Sequence, residues 1–270
     1  MKFLKRFLPT GRQIKTNIVE FEVTEPTEQI PDILHWASDG EDLRVILPST
    51  LLRTWGAFGF YGGWNPMMPP LQNDTKTFRD FFKFFQPKDL SDMYFLGEQF
   101  GPSSLGPMEL PWLFISDRQP SLGENGLRTD NYPSNFFGPS TSKMIDREFK
   151  RTQRVLQSIQ KQGYRPDRYS DIRGYFLQLD GEYRFLVKGG KHRSTTLAHL
   201  GFKSIPVRMR PSYPRVIDGD RVGDWPLVRS GQMSEDFALA VMRRFFEFDG
   251  TQQRDRIFNL SSGSSFRAAV

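Results

Sequence analysis

The stretch YFLQLDGEYRFLVKGGKHRSTTLAHLG, Tyr175–Gly201, decides how the rest of the chain is read. Two apolar runs, Tyr175–Leu179 and Tyr183–Val187, flank the dipeptide Asp180-Gly181, and this pattern predicts a β-hairpin. The second strand delivers the chain to Gly189 and Gly190, where glycine permits tight backbone angles and lets a ligand approach the main chain. A short helix is predicted next, Ser194–Leu200, closed by Gly201. Its free N–H groups point back at the glycine pair, and a helix N-terminus attracts anions. Lys191, His192 and Arg193 place cationic donors there, and Ser194, Thr195 and Thr196 add hydroxyls. Arg grips a phosphate through two parallel hydrogen bonds, which Lys does not. A glycine turn, a helix start and cations in one place suit a nucleotide phosphate better than a carboxylate substrate. The competing reading is a strand–turn–helix joint with a solvated basic cap.

The charge around this stretch is uneven. Residues 1–146 hold 14 basic and 18 acidic side chains, residues 147–229 hold 18 and 8, and residues 230–270 hold 5 and 5. The middle segment therefore carries a net +10, against +6 for the whole chain. A local positive field of this kind attracts phosphates on a nucleotide, a nucleic acid or a phosphorylated metabolite, and a solvated basic face with no ligand gives the same count.

Outward from the hairpin, Ile145–Gln162 reads as an amphipathic helix. Ile145, Phe149, Thr152, Leu156 and Ile159 share one face, Arg147, Lys150, Arg151 and Arg154 lie largely off it, and Gly163 ends it. Ile205–Met209 reads as a strand, as do Ile18–Val23 and Leu43–Leu47. Trp55–Leu71 is too rich in Gly and Pro for a long element and is expected to be loop ordered by its aromatic residues. In Thr77–Phe85, the i, i+3, i+4, i+7 spacing of Phe78, Phe81, Phe82 and Phe85 predicts a helix with a core-facing stripe. Ser234–Phe248 reads as a helix opened by a Ser cap, and the tail after it as frayed. At the other end, Met1–Leu8 is a short basic amphipathic segment. It is expected to pack on the protein rather than on a membrane, because two turns bury too little for firm attachment.

Four parts of the segment from about Glu148 to Arg210 stand in a characteristic order: Ser158-Ile159 ahead of Gly163, Gly190-Lys191-His192-Arg193, Leu200-Gly201, and Ile205-Pro206-Val207. In order and spacing this segment resembles the ParB/sulfiredoxin superfamily. The flanks, Asn65-Pro66, Phe85-Gln86-Pro87, Phe137-Gly138-Pro139 and Asp224–Val228, are similar to ParB-like proteins encoded beside bacterial surface-polysaccharide genes. The resemblance implies an α+β chain with a mixed sheet and three parts. Residues 1–140 would be an aromatic-rich N-terminal region packed on the core, 141–229 a nucleotide-binding module, and 230–270 a C-terminal helix and tail.

The resemblance also implies a function. In the superfamily the glycine loop binds nucleotide phosphates, which places Gly190, His192 and Arg193 at the phosphates of ATP or CTP with Mg2+. Gly189, Lys191, Ser194 and Thr195 would stand around them. Sulfiredoxin's Cys position is Lys191 here, and the chain has no Cys, so sulfinic acid reduction is excluded. The Glu and Arg common in ParB are replaced by Lys191 and His192, and the Asp of the related serine kinases is replaced by Gly189. A phosphotransferase or nucleotide hydrolase acting on a small molecule would need a base or metal-holding carboxylate. His192, Glu148, Asp171 and Asp167 are the candidates. Two alternatives stand beside the enzyme. One is DNA binding through a basic patch that includes Arg208, Arg210 and Arg215, although no reader helix follows. The other is a catalytically silent nucleotide sensor in surface-glycan assembly.

Composition excludes several classes. Zero Cys removes disulfides, iron–sulfur clusters and thiolate zinc sites, and three His (His35, His192 and His199) make a poly-His metal centre unsupported. No apolar run approaches the ~18 residues a membrane span needs, so a cytoplasmic location is expected.

Overall fold

The computed structural model describes residues 18–36, 42–113, 136–209 and 214–259. The chain opens with β1 (Ile18–Glu22), α1 (Pro26–Trp36), β2 (Asp42–Pro48) and β3 (Leu52–Arg53). Four helices follow in the aromatic-rich region: α2 (Met68–Leu71), α3 (Thr75–Phe84), α4 (Leu90–Met93) and α5 (Gly97–Phe100). The middle runs through α6 (Ser142–Gln162), α7 (Pro166–Tyr169), β4 (Ile172–Leu179), β5 (Glu182–Gly189), α8 (Lys191–His199), β6 (Ser204–Met209) and β7 (Val216–Asp218). The chain then forms α9 (Pro226–Arg229), α10 (Glu235–Glu247) and α11 (Thr251–Asn259).

The strands form one mixed seven-stranded sheet in the order β1-β2-β6-β4-β5-β3, making this an α+β protein. The predicted hairpin is its centre. Asp180 and Gly181 both take positive φ, 51° and 77°, as a tight two-residue turn requires. β4 then runs antiparallel to β5, with Phe176 opposite Phe185 and Tyr175 opposite Leu186. Along its other edge β4 pairs in parallel first with β6 and then with β7. β2 closes against β6 antiparallel, and β3 against β5 in parallel. Strands from the first 53 residues and from the middle of the chain therefore share one ladder.

Alternation along the hairpin gives the sheet two apolar faces. Tyr175, Leu177, Leu179 and Leu186 face one core, which is filled by the aromatic region and α10. Ile172, Phe176, Phe185 and Val187 face the other, which is covered by Ile30 and Ile33 of α1 and by Leu197 and Ala198 of α8. α6 spans both, with Ile145 in the first core and Ile159 in the second. The Phe stripe of α3 is core as expected: Phe78, Phe81 and Phe85 are fully buried. Their rings meet at 5.2–5.5 Å for the pairs Phe78–Phe82, Phe81–Phe82 and Phe81–Phe85, two of them edge to face, the arrangement the ring quadrupole favours. Each such side chain contributes about 1.5–3 kcal/mol of hydrophobic stabilisation.

Side-chain oxygens cap the helices that the sequence delimits. Asp74 accepts from Thr77 N at 2.9 Å, Thr141 from Met144 N at 3.2 Å, and Ser234 from Phe237 N at 3.3 Å. Arg53 locks the C-terminal end of α10 to the sheet, its buried guanidinium donating to the carbonyls of Phe248, Thr50 and Leu52. Burial, helped by the nearby Arg184, pulls its pKa down to about 10.

Three expectations are corrected or extended. The helix after the glycine pair begins at Lys191, not Ser194, with Gly190 as its N-cap. Ser194 carries a favoured capping side chain, but the turn is made three residues earlier by the left-handed backbone of Gly190. The C-terminal region holds a second helix, α11, beyond the one expected. Trp55–Leu71 is irregular except for a 3-10 turn at Trp55–Ala57 and the four residues of α2. The Met1–Leu8 segment, the tail 260–270 and Arg210 lie outside the described residues. Among the described residues no helix is long and apolar enough to cross a membrane.

Candidate functional site: a cationic cavity at the glycine turn

Gly190 takes φ +95°, a conformation that a residue with a Cβ adopts only under strain. This bend aims the N-terminus of α8 across the sheet edge toward α6. No side chain caps that terminus, and the N–H groups of its first turn have no partner within the helix. A cavity of about 770 Å³ opens in front of it, bounded by α6, the segment 163–170, β4, β5 and the first turn of α8.

The wall of this cavity is cationic throughout. Arg147, Arg151 and Arg154 reach it from α6, and Arg165 from the segment after that helix. Arg173 comes from β4, Lys188 from β5, and Lys191 and Arg193 from α8. Among the described residues, none of those lining the cavity is Asp or Glu. The three α6 arginines follow steps of four and three, so they form a second stripe along that helix. Arg173 lies over the bend, its guanidinium 3.6 Å from where a Cβ on Gly189 would stand. Aromatic rings share the wall. Lys191 Nζ lies 3.9 Å from the Phe136 ring centre, and Lys188 Nζ lies 3.9 Å from that of Trp55. Tyr164 and Tyr169 line the same space, and Tyr169 is 45% exposed.

Glu148 stands behind the wall, against His192, which lines it. His192 Nε2 lies 2.9 Å from Glu148 Oε2, and both side chains are buried. Arg151 approaches the other carboxylate oxygen at 3.5 Å. Burial by itself raises the Glu148 pKa. The hydrogen bond from His192 and the charges of Lys191, His192 and Arg151 outweigh it and hold the carboxyl at about 2. For His192, burial lowers the pKa, and Lys191 and Arg151 push the same way against Glu148. The pair is therefore a carboxylate accepting from the Nε2–H of His192.

The expected site residues divide accordingly. Gly189, Gly190, Lys191, His192 and Arg193 all line the cavity. Ser194 and Thr195 do not: both are fully buried, Ser194 Oγ donating to Gly190 O at 3.2 Å and Thr195 Oγ1 to Lys191 O at 2.8 Å. They sit on the side of α8 that packs inward, and their hydroxyls bond the helix's own carbonyls. Arg193 is engaged with the protein itself, donating to the carbonyls of Tyr169, Ser170 and Asp171. It clamps the start of α8 to the segment entering β4. Asp171 is buried outside the cavity wall, its carboxylate taken by Arg44 at 2.8 Å and Arg208 at 3.0 Å. Glu148 is near the site, but its oxygens are already matched and a carboxyl held at about 2 is a poor proton acceptor. Neither residue fits the role of general base. Asp167 is exposed and reaches toward Arg165 at 3.9 Å. Of the three arginines assigned to a DNA patch, Arg208 is paired with Asp171.

Sequence reasoning missed Arg147, Arg151, Arg154, Arg165, Arg173 and Lys188 as cavity residues. The signal was the charge count, since all eight wall cations fall in the 147–229 segment. A polyphosphate fits this donor set. Among the described residues a divalent metal held by the protein does not: the wall offers no carboxylate, and no cluster of three or more His, Asp or Glu suited to a metal occurs.

No protein-family model matches the chain, and neither a curated protein nor a solved structure matches it.

Proposed function

We propose that the cavity binds a nucleoside polyphosphate such as ATP or CTP. The phosphates would lie against the first turn of α8 and the surrounding arginines, and the base against the aromatic side of the wall. The observation that carries this reading is the enclosure of about 770 Å³ by eight Lys and Arg, with no Asp or Glu among the described residues of the lining. A volume of this size suits a small-molecule ligand. Burial lowers the Arg193 pKa, and the charges of Arg173 and Arg151 push the same way. A polyanion placed there would stand next to these positive charges. Arg165 and Arg173 also hold buried Nε donors with no hydrogen-bond partner among the described residues.

The site favours binding over turnover. The buried carboxylates beside it are matched, and His192 is the candidate proton acceptor among the described wall residues. A nucleotide sensor is therefore the first reading, and His192-assisted phosphoryl transfer or hydrolysis the second. DNA binding loses support from the Arg208–Asp171 ion pair.

Arg173→Ala tests the reading better than a change at Arg193, which would also release the clamp on residues 169–171. Isothermal titration of ATP, CTP, ADP and GTP into the full chain should give binding, and Arg173→Ala should weaken it about tenfold to a hundredfold, the worth of a charge-assisted hydrogen bond. No binding of any of these nucleotides to the wild-type chain would refute the proposal. Turnover measured in the same samples separates sensor from enzyme.

A further inference from the structure

His192 lines the cavity and stands 2.9 Å from a buried carboxylate, Glu148. We infer that it makes the site proton-linked: a polyanion entering the cavity draws a proton from solvent onto the imidazole, so that binding takes up a proton and strengthens as pH falls. This inference rests on the polyphosphate reading above and names how that same site is regulated.

The imidazole is held from behind. Its Nε2 bonds Glu148 of α6, which leaves the other ring nitrogen to take a proton. A protonated ring keeps that bond and turns it into an ion pair, so the charged form has its partner already in place. The charged groups on the elements packed around the ring include Arg147, Glu148 and Arg151 on α6, Arg173 on β4, Lys188 on β5 and Lys191 on α8 itself, with the other wall cations beyond them. Asp171, ahead of β4, is matched by Arg44 and Arg208. α2 also packs on α8, and its sequence MPPL holds no titratable side chain.

In the chain alone, burial opposes a proton on His192, and Lys191 and Arg151 oppose it further, while Glu148 favours it; the balance lies below the ordinary 6.5. A polyphosphate against the first turn of α8 brings several negative charges close to residue 192, and negative charge nearby favours the protonated ring. The same charges offset Lys191 and Arg151, whatever partners those two cations hold in the chain alone. Both effects raise the midpoint. Linkage makes them reciprocal: a ligand that raises the proton affinity of His192 is bound more tightly by the protonated chain, by the same factor. Affinity is therefore unaffected above the raised midpoint, grows as pH falls through it, and levels off below the midpoint of the chain alone. The site then reads acidity and the nucleotide together.

The test is NMR of the full chain carrying isotope-labelled histidine, titrated from about pH 8 to about pH 5 with and without saturating ATP. His35 and His199 are exposed, and replacing each by Gln assigns the His192 signal by elimination. The His192 midpoint should rise by at least about one pH unit when ATP binds, which is about tenfold in affinity at its limit. Titration calorimetry checks the reciprocal effect. Between about pH 8 and about pH 5.5 the wild-type chain should gain at least about threefold more affinity for ATP than His192→Gln, a comparison in which the ligand's own protonation cancels. The NMR arm needs no change at residue 192, so it decides the matter even where His192→Gln does not fold. A midpoint that stays or falls with ATP bound, or equal pH dependence in the two chains, overturns this inference and leaves the polyphosphate site standing. Absence of ATP binding to the wild-type chain across this range overturns the site itself.

Discussion

Replacing Glu148 by Gln keeps the shape of the side chain and removes its charge, and the structure sets the size of the effect. The carboxyl is 2% exposed and held at about 2 instead of its ordinary 4.5. That difference is about 2.5 pK units, or about 3 kcal/mol of folding stability at neutral pH. The sign follows from the direction. A carboxyl whose folded pKa is depressed contributes stability that is present above pH 4.5 and is lost as pH falls through about 2. Gln still accepts the Nε2–H of His192 through its amide oxygen, but it offers nothing to the charges of Lys191 and Arg151. Urea unfolding of Glu148→Gln at pH 7 should therefore show a stability loss of about 3 kcal/mol with an unchanged m-value. Between pH 4.5 and pH 2 the variant should lose less stability than the wild-type chain. His192 acts in a different window. Its lowered pKa removes stability as pH falls below 6.5, and more so in the variant, which lacks the Glu148 charge that raises it. A loss below about 0.5 kcal/mol at pH 7, typical of a surface substitution, would refute the claim that this carboxylate anchors α6 to α8.

Two further changes probe the bend and the base. Gly190→Ala should destabilise the chain by about 1–2 kcal/mol from left-handed backbone strain and crowding, because its Cβ would stand 3.1 Å from Ile172 Cα. Gly201→Ala is the control, with φ +83° but open space around the Cβ, so equal losses in urea for the two variants would contradict the steric argument. Tyr169→Ala should leave stability within about 0.5 kcal/mol but weaken ATP by about 1–3 kcal/mol while sparing tripolyphosphate, since only the nucleotide has a base to stack. Equal weakening of both ligands in titration calorimetry would show that the ring does not meet the base.

Much of the secondary structure was legible because its signals are local. The Asp180-Gly181 turn between alternating runs, the apolar face of α6 ending at Gly163, the Phe stripe of α3 and the Ser234 cap each depend on residues within a few positions of one another. The misses have physical reasons. α11 reads TQQRDRIFN, nearly all polar, and is held by Ile257 and by Gln253, which bonds the carbonyls of Gly56 and Ala57. A contact across nearly two hundred residues leaves no periodic trace. β7 is three residues long and exists because β4 has an open edge beyond β6. At the site, the helix start was drawn at Ser194 by its side-chain preference, and Gly190's backbone moved it to Lys191.

By itself the sequence determined that residues 147–229 carry a concentrated positive charge, and that a strand, a glycine bend and a helix meet within it. Charge and local backbone preference are properties of the residues and survive in any fold. Which cations face one another was decided by tertiary structure alone. α6 folds back so that Glu148 meets His192 across 44 positions, and that contact turns the arginine stripe of α6 toward the bend. The same packing committed Arg193 to the carbonyls of residues 169–171 and Asp171 to Arg44 and Arg208. Hydrogen-bond partners are chosen by proximity after folding, so a residue's chemistry states what it can hold, and only the assembled fold states what it does hold.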